Sequence, residues 1–161
     1  MAQSTHEAQP RLTVRFTRIS PDAHVFEAVR ADGTRLRREL ETRSFLLHDL
    51  VHFAVEIEAG TAEGFYGRLA AGLEGEPASP EAMAVETIVG PMQTAAGQDD
   101  PPSPEDFVAA VTAYLAMTGG TPPAWFTPAF VEAARERLRG LLGRWRATRF
   151  GETMELRVPH F

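Results

Sequence analysis

The chain of 161 residues contains no cysteine, no lysine and no asparagine. Without cysteine there are no disulfides, no zinc–thiolate centres and no cysteine nucleophiles. Without lysine, all 16 basic residues are arginine. Lysine and asparagine both have AT-rich codons, and a GC-rich genome accounts for both absences. No apolar run approaches the roughly 20 residues that a membrane-spanning helix needs. The opening "MAQSTHEAQP" has neither a basic start nor an apolar stretch, which predicts no secretory signal and a cytoplasmic protein. Positive charge is also in short supply. The net charge is -6 and the pI is near 5.4, which argues against nucleic acid or an anionic membrane as the main partner. A small molecule or another protein is the expected partner.

With 43% hydrophobic residues and 24% charged ones, what remains is ordinary globular material. Residues 1–10 read as a mobile tail and 11–161 as one domain. "RLTVRFTRI" alternates, with Leu12, Val14 and Phe16 on one face, and so predicts a half-buried strand. Asp32-Gly33 lies between two strand-like runs and signals a hairpin. A two-residue loop would set Val29 opposite Leu36, Glu27 opposite Arg38 and Val25 opposite Leu40.

Helical patterning runs from Ser44 to Ala59, where Gly60 can end it. "TAEGFYGRLAAG" predicts a short second helix closed by Gly72. Its glycines follow no strand, so they are not a nucleotide-binding loop; Gly64 and Gly67 instead suit close packing. Ser79-Pro80, Ser103-Pro104 and Thr127-Pro128 open three further helices, each a capping residue followed by proline at the first helical position. Gly90-Pro91 should break or kink the first of these three. The last carries an apolar stripe through Val131, Ala134, Leu138, Leu141 and Trp145. Its arginines read as a solvated face, and Trp125-Phe126 as core. "TMELRV" predicts a final strand. Strands, then helices, then one strand give an α+β fold, with a small antiparallel sheet and about five helices packed on one face.

The chemistry concentrates in "HDLVHFAVE", residues 48–56. On a helical projection Leu46, Leu47, Leu50, Phe53, Ala54 and Ile57 span roughly 80° to 200°, and Val51 and Val55 extend the apolar arc to about 280°. His48, Asp49, His52 and Glu56 fill most of the remaining sector. Residues four apart on a helix are neighbours, so His48 and His52 can direct both imidazoles at one divalent metal such as zinc. Asp49 and Glu56 are the candidate catalytic acid–base groups. Glu56 lies about 12 Å of helix rise from His48, too far to complete the same ion from that end. It suits a hydrogen bond to His52 better.

"HDLVH" resembles the HExxH motif of zinc peptidases over five residues. It departs at the second position, where Asp49 stands in place of the glutamate base. "His48-Asp49" resembles the HD dipeptide of metal-dependent phosphohydrolases, whose further histidine lies on a helix, whereas His24 reads as strand. "LLHDLVHFAVE" together with "GFYGRLAAG" resembles a group of uncharacterised bacterial proteins over residues 44–72, a likeness that implies no activity.

Two functions follow. One is a metal-binding protein, a small metal-dependent hydrolase in its sharpest form. The other is a non-catalytic interaction or ligand-binding module in which the polar stripe is a structural hydrogen-bond network. The two-residue hairpin adds an expectation. Glu27 and Arg38 would share the helix-facing side of the sheet as an auxiliary polar cluster beside His48, His52 and Glu56, where Arg38 can orient Glu56 or bind an anionic group.

Overall fold

The computed structural model describes residues 9–161; most of the expected tail, residues 1–8, lies outside the described residues. The elements are β1 (Leu12–Arg18), β2 (Ala23–Arg30), β3 (Arg35–Glu41), α1 (Thr42–Ala59), α2 (Phe65–Ala70), α3 (Pro80–Ala96), α4 (Pro104–Met117), α5 (Pro128–Ala147) and β4 (Thr153–Val158). The fold is α+β, with the strands forming one antiparallel sheet in the order β3-β2-β1-β4.

Strand alternation builds the sheet's inner face. Leu12, Val14 and Phe16 are fully buried, opposite Val158, Leu156 and Met154 of β4. The helices cover this face, and one continuous hydrophobic core joins strands and helices. On the outer face Arg15 bridges Glu27 and Glu155, at 3.0 Å to each.

The β2–β3 register differs from the expected one. Glu27 pairs with Arg37, Phe26 with Arg38, and Ala28 with Leu36. The loop has three residues, Ala31 to Gly33, closed by a 2.9 Å bond from the Arg30 N–H to the Thr34 carbonyl. A two-residue type I′ turn needs positive φ at both positions. Here only Gly33 has it, at 84°, and the extra residue shifts the pairing by one. Every β2 side chain therefore changes face relative to the expectation. Phe26 and Ala28 point inward, Glu27 points outward to Arg15, and Arg38 stays on the helix side beside Leu36 and Leu40. The expected Glu27–Arg38 pair does not form.

Ser79, Ser103 and Thr127 cap their helices as their sequences predict. Ser44 does not. Strand β3 runs straight into α1, whose N-cap is Glu41, and the Ser44 hydroxyl donates to the Glu41 carboxylate at 2.6 Å. Helix α3 continues through Pro91. Burial of Val85, Ile88, Val89, Met92 and Ala95 along one side outweighs the single backbone hydrogen bond that proline removes.

Helix α1 is central. It packs against α2, α3, α5 and β3, and every residue from Asp49 to Glu56 is buried. A helix surrounded in this way reads as apolar nearly all round, and any polar group on it must find partners inside the protein.

His24 is one buried polar residue far from that stripe. It is fully buried on β2, with Nδ1 3.1 Å from the Thr42 hydroxyl and its ring beside Phe16 and Trp145. Its Nε2 has no partner among the described residues, and burial lowers its pKa below the ordinary 6.5. The folded state therefore binds fewer protons than the unfolded one below that value, so stability falls as pH drops through it. His24→Gln should flatten this acid limb in urea unfolding curves measured across the pH range. An unchanged slope would place the loss elsewhere.

Candidate metal centre

Helix periodicity aligns the polar groups of α1 with those of α3. His48 and His52 lie one turn apart, with ring centroids 4.7 Å apart. Across from them, Glu86 and Gln93 are spaced by two turns of α3 and so share one of its faces. His52 Nε2 is 3.5 Å from a Glu86 carboxylate oxygen, and His48 Nδ1 is 2.9 Å from the Gln93 side-chain oxygen. One ligand atom from each of His48, His52 and Glu86 falls within a 4.8 Å span, so the three together can hold a metal ion. Ligand atoms about 2.0–2.2 Å from a tetrahedral zinc lie about 3.3–3.6 Å apart. The half-exposed Glu86 side chain can close the difference by a small torsional change.

Both imidazoles are held from behind. Amide oxygens accept only, so His48 Nδ1 donates to Gln93 and its Nε2 carries the free lone pair. His52 Nδ1 faces Glu56 Oε1 at 3.1 Å, leaving Nε2 toward Glu86. This is the carboxylate–histidine arrangement that orients metal-binding imidazoles.

Glu56 is itself anchored. Its second oxygen accepts the backbone N–H groups of Tyr66 at 2.9 Å and Gly67 at 3.3 Å. The "GFYG" stretch thus serves to cradle a carboxylate. A Cβ at Gly64 would overlap the Glu56 carboxylate, and one at Gly67 would overlap the Ala62 carbonyl. Gly64→Ala should cost about 1–3 kcal/mol through overpacking. Gly140→Ala, where a Cβ meets nothing within 4 Å, should be neutral or stabilising. Paired urea titrations compare the two, and equal effects would mean that the cradle yields freely.

The electrostatics follow from burial and pairing. Burial opposes a charge on His52, but the hydrogen bonds it donates to Glu56 and Glu86 outweigh it and raise its pKa to about 9. Burial pushes Glu56 up, partly countered by His52 and the two backbone donors. Glu86 is lowered, chiefly by its hydrogen bond with His52. Burial raises Asp49 to about 7, partly countered by His52.

The residues expected from sequence therefore divide. His48 and His52 converge on one point, and Glu56 stands behind His52. Asp49 is one residue round the helix and lies outside the ligand trio. It lines an adjoining pocket with Arg38, Phe26 and Phe65. Glu27 is on the far face of the sheet. Glu86 and Gln93 were missed, although both are polar residues within the apolar run of α3, two turns apart.

Comparison with family models, with curated proteins and with solved structures returns no match. Among the described residues no helix is long and apolar enough to cross a membrane.

Proposed function

We propose that the protein binds a divalent metal through His48, His52 and Glu86 and uses it as a small metal-dependent hydrolase. The carrying observation is the convergence of three ligand atoms from two helices, with both histidines held through Nδ1. Three protein ligands leave a position for water, whose pKa a bound zinc lowers toward 7. Glu56 has both oxygens occupied inside the protein, so its role is to position His52. Asp49, beside the trio and open to the adjoining pocket, is the acid–base group.

The test is zinc binding to chelator-treated protein, read by competition with a chromophoric chelator. His48→Ala and Glu86→Gln should each weaken binding strongly, and Gln93→Leu by about tenfold, the lower end for an outer partner. If wild type and His48→Ala/His52→Ala bind equally weakly, the metal reading fails. Hydrolysis of ester and phosphodiester panels with zinc, against chelator, then tests the reaction class.

One observation favours a second reading. His52 lies between two carboxylates and is satisfied as an imidazolium without any metal. On that reading the cluster is a structural network in an interaction or ligand-binding module. Zinc-independent stability, together with loss of folding in His52→Ala, would support it.

A further inference from the structure

Beside the metal centre a cavity of about 520 Å³ opens between the β2–β3 edge, the start of α1 and α2. Its size falls within the range of small-molecule sites. Its walls are aromatic and aliphatic, with Phe26, Leu40, Phe45 and Phe65 among them. Phe45 and Phe65 are more than a third exposed, leaving bare rings at the opening.

Three arginines also line this space: Arg30, Arg38 and Arg68. Arg30 is tied to the Leu69 carbonyl at 2.7 Å, and Arg68 to the carbonyls of Gly75 and Glu76 at 2.7 and 3.1 Å. Arg30 also interacts electrostatically with Asp32, and Arg68 with Glu86, so each of these two charges has an acidic neighbour. Arg38 forms no ion pair among the described residues, although the hairpin register holds it on the helix side of the sheet. Two carboxylates, Asp49 and Glu74, line the same space, and Arg38 is the lining cation left without an ion pair among the described residues. A cavity that sets aromatic walls beside one guanidinium without an ion pair matches a ligand with an apolar body and an anionic head.

We propose that this cavity binds a small aryl or alkyl anion, a carboxylate or phosphate, with its head on Arg38 and its body against Phe45 and Phe65. Phe65 also packs on His52, at 5.7 Å between ring centroids. The body of such a ligand therefore lies next to the metal centre, and the cavity supplies the substrate class for the proposed hydrolase. In that respect the proposal rests on the metal reading; binding itself does not need the metal.

The experiment titrates chelator-treated protein with 3-phenylpropionate, phenyl phosphate and the neutral 3-phenylpropionamide, following arginine Nε–Hε and aromatic NMR signals. At least one anion should shift the Arg38 and Phe65 signals, and the amide should bind at least about tenfold more weakly, the worth of one charge-assisted hydrogen bond. The carboxylate and phosphate arms distinguish the two heads. Arg38→Gln, an exposed change on an edge strand, should lose the preference for the anion, and Arg37→Gln on the opposite face should keep it. No shift with either anion, equal binding of the amide, or an unchanged affinity in Arg38→Gln would each overturn the proposal. Zinc affinity is measured separately on the same samples. A protein that binds the anion but not zinc retains the cavity and loses the hydrolase; the converse loses only the cavity.

Discussion

Zinc at a free concentration about one hundred times its dissociation constant is expected to raise the melting temperature by about 5–11 °C. The stabilisation from binding the native state alone is about 2.7 kcal/mol at that ratio. A chain of this length gains about 2–4 °C per kcal/mol. The ion would join α1 to α3 through His48, His52 and Glu86, so the gain should be cooperative. Zinc must displace the proton that Glu56 and Glu86 favour on His52, so the shift should be larger at mildly alkaline than at mildly acidic pH. His52→Ala should abolish it. Differential scanning calorimetry with and without chelator measures the effect, and an identical transition in both buffers rules out the metal centre.

Glu56→Ala is expected to be the most damaging single substitution. The carboxylate is 1% exposed and serves His52, Tyr66 and Gly67 at once. Its removal leaves two backbone donors unpaired and takes away the carboxylate that supports an imidazolium at His52. Breaking a buried ion pair from one side costs about 3–5 kcal/mol. With about 2–4 °C per kcal/mol, the melting temperature should fall by about 6–20 °C. The loss should centre on the α1–α2 junction, so native-state hydrogen exchange should show early opening of the Tyr66 and Gly67 amides. Glu56→Gln should fall between wild type and alanine. It keeps the volume and one acceptor but turns an NH₂ group toward existing donors. A melting temperature within about 2 °C of wild type for Glu56→Ala, under 1 kcal/mol at this chain length, would show that water replaces the carboxylate.

Local chemistry was legible wherever a short segment decides its own conformation. Alternation in "LTVRF" and "MELRV" determined two strands and their inner faces. The Ser-Pro and Thr-Pro pairs determined three helix starts, because cap and proline act within one turn. The four-residue spacing of His48 and His52 determined that their rings are neighbours, and that Glu56 can reach only the nearer one. What the sequence left open depended on contacts between segments. The choice between a two- and a three-residue hairpin loop turned on whether Asp32 would accept positive φ, and that one residue sent Glu27 to the outer face of the sheet, against Arg15, and left Arg38 facing the helices. Pro91 stayed within its helix because the rest of α3 is buried against its neighbours. Glu86 and Gln93 entered the site only because α3 packs beside α1, a juxtaposition that no spacing within either segment encodes. A helix carries its own periodicity in its sequence; which neighbour it faces is decided by burial shared with residues far along the chain.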